Sequence, residues 1–189
     1  MSEIMLAAQS ALVEHWIYWL VTVVLVVAAV IDGIQLKVPN WITFPFVLCG
    51  WVYCCWAGGW EGLGASLLGT VIGLALLMPA YAIGGMGAGD VKLLAGVGAW
   101  VHSMDTFYAF CATTIVGAIL AVGMVLAKKS WEKHRNQFWV ILNEILVIKN
   151  PETLATIAAE RKPRMLLLPY GIPMAIGTII YFACFGKLV

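Results

Sequence analysis

Long apolar stretches recur along most of this sequence, and they restrict the fold more than any other feature. Each is about 18 residues or longer, which as an α-helix is enough to cross a hydrocarbon layer about 30 Å thick. The 189 residues are 62% hydrophobic and only 11% charged, with a mean hydropathy of +0.94. A barrel would instead alternate apolar and polar residues. We therefore expect an all-α integral membrane protein in which residues 1–189 form a single membrane domain.

Six membrane crossings are predicted, so the expected fold is a polytopic bundle of six transmembrane helices. The predicted crossings cover residues 16–34, 41–58, 63–83, 89–103, 106–127 and 165–186. The fourth is the weakest, because only VKLLAGVGAWV within it is clearly apolar and residues 101–106 must then turn tightly. The fourth and fifth crossings could also be read as one re-entrant hairpin; we expect two separate helices.

Basic residues are distributed unevenly over the predicted loops. The loops around Lys37, from Gly84 to Lys92 and at 128–164 lie opposite the termini and hold ten of the eleven Lys and Arg residues. Because Lys and Arg favour the cytoplasmic side, these loops are expected in the cytoplasm and both termini outside it. The 128–164 loop reads as a polar connector, with FWVILNEILVI as a candidate interfacial helix. A partner-docking role for this loop is the alternative.

Two acidic residues directly adjoin long apolar runs on the predicted cytoplasmic side. Asp32 follows one crossing and Asp90 follows three, so both are expected at the same membrane face. An acid beside hydrocarbon is costly and is therefore a functional candidate. Taken singly, each could also be an interfacial loop residue, and Asp90 could be a helix N-cap. As a pair they favour a common site.

Two carboxylates that share one water cannot easily both ionise, so one keeps a proton while the other accepts one. That arrangement suits acid–base hydrolysis of a peptide bond, the chemistry of aspartyl proteases. Helix dipoles favour an anion at an N-terminus and disfavour it at a C-terminus. We therefore expect Asp90 to be the base and Asp32 the acid. No metal or nucleotide motif is present, and no cofactor is expected.

The glycines before Asp90 give that segment unusual backbone freedom. Gly84, Gly85, Gly87 and Gly89 predict a non-helical loop against which an unwound substrate could lie. The alternative is that Gly85 and Gly89, spaced GxxxG, simply pack helices together. A packing role is also expected for the small residues of the third crossing, Ala65, Gly69 and Gly73.

Four residues beside the two acids complete the candidate site. Lys37 and Lys92 either hold an acidic substrate residue and tune the carboxylates, or anchor the chain at lipid phosphates. Lys92 and Asp90 are two positions apart on a helix, so their side chains should point in different directions. Pro39 and Asn40 are expected to end the first helix and turn the chain.

Aromatic residues and prolines near the predicted helix ends give two further expectations. Tryptophans at such positions are typical of an interfacial belt, and those concerned here are Trp16, Trp41, Trp60 and Trp100. Pro169 and Pro173 are expected either to bend the sixth crossing or to free backbone carbonyls within it.

Three segments, in this order, resemble the motifs of the type IV prepilin peptidases. DGIQLKVPNWIT resembles the first-aspartate motif of that family, and GMGAGDVKLLAGVGAW resembles the second, GxGD followed by a Lys and a glycine-spaced helix. LPYGIPMAIG resembles the last helix with its Pro-aromatic-Gly start. The resemblance covers about residues 16–186 and implies that Asp32 and Asp90 are the catalytic aspartates.

The resemblance implies a multi-pass aspartic endopeptidase of the bacterial inner membrane. Such enzymes cut the leader from type IV prepilins and pseudopilins at the cytosolic membrane edge; the lipid bilayer and the pilus assembly machinery are further implied partners, and nucleic acid is not. Larger members carry an insert with two CxxC pairs and methylate their product. This sequence has no CxxC, so we expect the short form found with tight-adherence (Flp) pili.

Three alternatives stay open at this point. Archaeal preflagellin peptidases have the same compact plan and the same chemistry. A small cation- or proton-coupled carrier could use the same two acids, although carriers usually place them near the membrane midplane. An inactive family member could serve only as a subunit of a secretion machine.

Overall fold

Four α-helices form the regular secondary structure of the part of the chain described by a computed structural model, residues 15–82, 86–127 and 169–188. The helices are α1 (Trp16–Gln35), α2 (Asn40–Ala82), α3 (Ala88–Ala127) and α4 (Gly171–Cys184). The all-α prediction is thus confirmed over these ranges. The predicted 128–164 loop lies outside them.

The helices are long and apolar enough to explain the membrane character of the chain. Three have the length and composition to cross a bilayer, namely Trp16–Gln35, Asn40–Ala82 and Ala88–Met124, and α4 is a shorter apolar helix. On α1, one stripe of residues spaced three or four apart is buried: Val21, Leu25, Ala28 and Asp32. The opposite face is also apolar although it is exposed, as Val23 and Val27 illustrate. A helix that is apolar all round fits a hydrocarbon surrounding.

A left-handed glycine divides α2 into two antiparallel halves. Gly59 has φ 59° and ψ −144°, a conformation that a side chain would oppose. The indole N–H of Trp51 donates to Thr70 Oγ1 at 2.9 Å. In a straight helix these two residues would be roughly 28 Å apart, so the chain must reverse direction between them. The four helical elements therefore include one internal hairpin where the sequence predicts crossings 41–58 and 63–83.

A second interruption falls in α3 at His102, which has φ 64° and ψ −172°. A positive φ is rare for a residue other than glycine and carries strain. The half before His102 packs on the second half of α2, where a Cβ added to Gly69 would lie 2.1 Å from the Gly98 carbonyl oxygen. The half after it packs on α4, where a Cβ on Gly177 would lie 2.5 Å from Thr113. The packing role predicted for Gly69 is confirmed.

Trp100 corrects one prediction, because it belongs to the core and not to an interfacial belt. It is 6% exposed, and its indole N–H donates to the Phe46 carbonyl at 2.9 Å. Tyr53 stacks on it with ring centroids 5.5 Å apart. Trp41 and Trp60, by contrast, are 69% and 85% exposed. An indole is accommodated in a core whenever its N–H finds an acceptor.

A polar cluster ties three helices together at one end of α1. The Asp105 carboxylate accepts hydrogen bonds from the Tyr18 hydroxyl at 3.1 Å and from the Tyr181 hydroxyl at 2.7 Å. The Lys187 ammonium lies 3.2 Å from the same carboxylate. Residues near the start of α1, within α3 and beyond the end of α4 are therefore held at one point.

The prolines near α4 do not bend it. Pro169 precedes the helix, and Pro173 is the third helical residue, in the first turn. Proline is tolerated there because the backbone N–H groups of a first turn have no intrahelical acceptor. The predicted bend of the sixth crossing is therefore wrong for this part of the segment.

Candidate active site

Asp32 is carried into the bundle by the last turn of α1. It continues the buried stripe of that helix and is 3% exposed. The helix ends at Gln35, and the next residue, Leu36, takes the left-handed conformation with φ 52° and donates its N–H to the Asp32 carbonyl at 2.7 Å. The side-chain Oδ2 of Asp32 accepts the backbone N–H of Gly171 at 2.8 Å. The carboxylate is therefore held between the end of α1 and the start of α4.

Asp90 occupies the first turn of α3 and is 7% exposed. Its Oδ2 accepts the backbone N–H of Gly87 at 3.1 Å. Because α3 begins at Ala88, Asp90 is the third helical residue, and its side chain reaches back to the residue before the helix. Acidic residues at this position stabilise helix starts in the same way. The alternative that Asp90 is a helix N-cap is thus wrong, because Asp90 lies within the helix. Its side chain nevertheless accepts a hydrogen bond from the residue that precedes the helix.

The two aspartates line one cavity of about 410 Å³ at this end of the bundle. Of the eight residues predicted for the site, seven line the cavity: Asp32, Lys37, Asn40, Gly87, Gly89, Asp90 and Lys92. Pro39 does not line it; its carbonyl accepts the N–H groups of Ile42 and Thr43 at the start of α2. The structure therefore gives Pro39 the turn-forming role predicted for it, at the beginning of α2. The prediction that Pro39 and Asn40 end the first helix is wrong, because α1 ends at Gln35 and Asn40 is the first residue of α2.

Two glycines allow the backbone segments around the aspartates to approach closely. A Cβ on Gly89 would lie 2.6 Å from the Val38 carbonyl oxygen, which real Cβ atoms do not tolerate. A Cβ on Gly171 would lie 3.0 Å from both Cβ and Oδ2 of Asp32. Gly84 and Gly85, two of the predicted loop glycines, lie outside the described residues. The loop prediction is wrong for Gly89, which is the second residue of α3.

Lys92 is held beside the cavity by neighbours on α2. Its ammonium donates to the side-chain carbonyl of Asn40 at 3.0 Å and lies 4.7 Å from the centre of the Phe44 ring. These contacts fix a positive charge near the two carboxylates. Lys37 also lines the cavity and is exposed.

Sequence reasoning missed the contribution of the segment that opens α4. Gly171 supplies a hydrogen bond to Asp32, and Pro169 and Tyr170 line the cavity. The signal was present in LPYGIPMAIG, which resembles a family motif but contains no ionisable group other than a tyrosine. Other cavity-lining residues that were not predicted are Gln35, Leu36, Val38, Met86 and Ala88.

The described residues therefore form a helical membrane protein with two buried carboxylates on one cavity, a class defined by paired aspartates at a helix end and a helix start. A pair of this kind can activate water with one carboxylate and donate a proton with the other. Over the described ranges, no group of three or more His, Cys, Asp or Glu residues is arranged to hold a metal ion.

Comparison with known proteins assigns the chain within that class. Residues 19–122 match the model of the type IV leader peptidase family, and the chain belongs to this family. It is 32% identical over 116 residues to a prepilin leader peptidase/N-methyltransferase of Aeromonas salmonicida strain A449. The corresponding proteins of Aeromonas hydrophila and Neisseria gonorrhoeae are 31% and 30% identical over the same length.

These alignments cover 58% of this chain and 40% of each relative. The chain thus spans well under half the length of the curated relatives it matches. No solved structure matches it.

Proposed function

We propose that this chain is a membrane aspartic endopeptidase that removes the leader from type IV prepilins. The observation that carries the proposal is the placement of Asp32 and Asp90, both buried, on one cavity at one end of the bundle. Family membership and the printed names of the relatives support the same reaction. The peptidase step alone is proposed, and prepilins and pseudopilins of the tight-adherence type are its first candidate substrates.

The proposed mechanism uses the two carboxylates as a unit. One carboxylate takes a proton from a water molecule as the water oxygen attacks the scissile carbonyl carbon, and the protonated partner donates to the carbonyl oxygen. The tetrahedral intermediate then collapses and the C–N bond breaks. The leaving nitrogen takes the proton that the first carboxylate removed from water, and the re-forming carbonyl returns a proton to the second carboxylate. No redox change and no cofactor enter this scheme.

The helix-end argument does not separate the acid from the base. Asp90 accepts an N–H at the start of α3, but Asp32, although it ends α1, accepts the first N–H of α4. Each carboxylate is therefore stabilised as an anion by a helix N-terminus. We accordingly propose a pair that titrates jointly and assign no fixed role to either member.

The proposal places the cavity at the cytosolic face of the bacterial inner membrane. The charged groups near the two ends of α1 support this orientation. Two lysines, Lys37 and Lys92, line the cavity at the Asp32 end. The Asp105–Lys187 ion pair lies at the other end, beside Tyr18, which is roughly 21 Å from Asp32 along α1. Counting the halves of α2 and α3 separately gives the proposed six crossings. With that count, α3 ends at Ala127 on the same side as the cavity.

Lys37 and Lys92 are proposed to bind an acidic group of the substrate. Lys92 is already oriented by Asn40 and Phe44, so less side-chain freedom is lost on binding. Preflagellin cleavage, the archaeal variant of the reaction, would use the same groups. The carrier alternative is less well supported, because the two acids sit at helix ends beside one cavity.

Leader removal in proteoliposomes tests the proposal. The purified chain is incubated with a membrane-embedded prepilin, and the precursor is followed by its change in size. We expect wild type to cleave, and we expect Asp32→Asn and Asp90→Asn each to lower the rate by roughly 10²- to 10⁴-fold. Glu61→Gln, at an exposed acid outside the cavity, is the matched control and should cleave normally.

Two results would contradict the mechanism or the function. Cleavage that persists in either Asp variant would exclude a two-aspartate mechanism. A wild-type chain that leaves both prepilins and preflagellins intact would favour the carrier or the inactive subunit, which a cation-flux assay on the same proteoliposomes then separates.

A further inference from the structure

Tyr170 is a protic side chain of the site that the proposed mechanism does not use. It lines the same cavity as Asp32 and Asp90, here called the two-aspartate cavity, and it is half-buried. It directly precedes Gly171, whose N–H donates to the Asp32 carboxylate at 2.8 Å. A phenol hydroxyl can donate one hydrogen bond and can also accept hydrogen bonds. What Tyr170 can do in the cavity therefore depends on where its own proton goes.

The backbone and the ring of Tyr170 are both held in place. The residue has helical dihedral angles, φ −71° and ψ −19°, and its carbonyl accepts the N–H of Met174 at 3.1 Å in the first turn of α4. One ring edge lies against α3 at Gly117, where an added Cβ would be 3.8 Å from Cε2 of Tyr170. Because the phenol is already oriented, little side-chain freedom is lost when it binds a further group.

The proton of the Tyr170 hydroxyl is used by Thr114. The two side chains share a hydrogen bond, and Thr114 belongs to the half of α3 that follows His102. Thr114 Oγ1 donates its own proton to the Phe110 carbonyl at 2.9 Å. Since a hydroxyl has only one proton, Thr114 must be the acceptor in its bond with Tyr170. The phenol oxygen of Tyr170 thus keeps its lone pairs for another donor.

The same phenol oxygen is close enough to the Asp90 carboxylate to interact with it electrostatically. The cavity that both residues line has a volume of about 410 Å³, far more than one water molecule needs. A water molecule has two hydrogens. A water in this cavity can therefore donate one hydrogen to a carboxylate and the other to the phenol oxygen, which fixes the direction of its lone pairs.

We propose that Tyr170 is a third catalytic residue, whose phenol oxygen accepts a hydrogen bond from the attacking water and so directs the water oxygen at the scissile carbonyl carbon. This inference rests on the proposed function and deepens it. One aspartate removes the other hydrogen of that water as a proton. Tyr170 keeps its own proton on Thr114 throughout, and no covalent bond to Tyr170 forms or breaks.

Tyr170→Phe removes the acceptor oxygen and leaves the ring in place. In the proteoliposome cleavage assay we expect kcat to fall roughly 3- to 10-fold, the effect of one lost neutral hydrogen bond, with little change in KM. Thermal unfolding is measured on the same samples. Tyr108→Phe is the matched control, because Tyr108 is 49% exposed and does not line the cavity. It should cleave as wild type does.

Replacing Tyr170 by 3-fluorotyrosine supplies a readout that a packing role would not change. Fluorine withdraws electrons from the phenol oxygen, which makes the oxygen a weaker acceptor and the O–H a stronger donor. We expect kcat to fall to a value between those of wild type and Tyr170→Phe. A hydroxyl that served only to bond Thr114, or that donated to the substrate, would give a rate equal to or above that of wild type.

Thr114 variants test the assigned direction of the hydrogen bond. Thr114 does not line the cavity, so its substitution acts on the water only through Tyr170. Thr114→Val removes the acceptor of the phenol proton and should lower kcat about as much as Tyr170→Phe does, whereas Thr114→Ser should retain the wild-type rate. Because the two residues act on one group, the double variant Tyr170→Phe/Thr114→Val should be no slower than Tyr170→Phe alone.

The outcomes separate this proposal from the proposed function. Tyr170→Phe with a wild-type kcat, or 3-fluorotyrosine with a kcat at or above that of wild type, would overturn the role of Tyr170 while wild-type cleavage leaves the peptidase intact. Independent rate losses in the Tyr170 and Thr114 variants would overturn the shared hydrogen-bond chain. If wild type does not cleave at all, the proposed function fails and the Tyr170 proposal fails with it.

Discussion

Gly171→Ala tests whether the start of α4 positions the Asp32 carboxylate, one of the two proposed catalytic groups. The added Cβ would lie 3.0 Å from Cβ and Oδ2 of Asp32, which is tighter than nine in ten real Cβ contacts. Because Asp32 is buried and its neighbour Ala29 lies 3.4 Å from the same point, the side chain has little room to yield. We therefore expect the carboxylate to shift and its hydrogen bond from the Gly171 N–H to lengthen or break.

The size of the effect follows from that bond. A hydrogen bond to a charged group contributes about 1.5–3 kcal/mol. If its loss appears wholly in the transition state, kcat/KM for leader removal should fall by roughly 10- to 100-fold, since 1.4 kcal/mol corresponds to a factor of ten. The assay is initial-rate cleavage of a prepilin in proteoliposomes, with thermal unfolding measured on the same samples.

Gly64→Ala is the matched control, because nothing lies within 4 Å of a Cβ at that position. It should leave both the rate and the unfolding temperature close to those of wild type. Gly171→Ala with a wild-type rate would refute the positioning argument. A rate loss accompanied by an equally large loss of stability would show that Gly171 serves packing and not the carboxylate.

Two further predictions concern the framework. Gly69→Ala would place a Cβ 2.1 Å from the α3 backbone, so we expect it to destabilise the fold by about 1–3 kcal/mol in thermal unfolding, against the Gly64→Ala control. Burial lowers the pKa of Lys187, but its hydrogen bonds to Tyr18 and Asp105 raise the pKa by more than burial lowers it. The net shift is therefore upward. The stabilisation of the fold by the Lys187 ammonium should be complete below pH about 10.4 and should disappear as the pH rises through the raised pKa. Lys187→Met should therefore have a lower Tm than wild type at neutral pH, and the two Tm values should converge at high pH.

The sequence predicted the elements of the site because its main signals are local. Asp32 at the end of one apolar run and Asp90 at the start of another are both visible in the sequence. Counting the membrane crossings between them predicted that both lie at one membrane face. The structure brings them to one cavity. The glycines and lysines of the site lie within a few residues of these acids and were found with them.

What the sequence did not predict depends on contacts between distant segments. The bond from Gly171 to Asp32 joins residues 139 positions apart, and a glycine beside an aromatic residue carries no mark of that partner. Trp100 was assigned to the membrane interface because it lies near a predicted helix end. Its hydrogen bond to the Phe46 carbonyl, which the sequence does not reveal, accommodates it in the core. The positive φ of His102 was not predicted, since no local preference of histidine requires it.

The 139-residue separation between Asp32 and its donor has a consequence for synthesis. A ribosome delivers α1 to the membrane long before it makes Gly171, so a nascent chain carries Asp32 without the N–H that holds it. The two-aspartate cavity is also incomplete at that stage, because Pro169 and Tyr170 line it. On the proposed function, cleavage should therefore begin only once α4 has docked against α1 and Gly171 holds the Asp32 carboxylate.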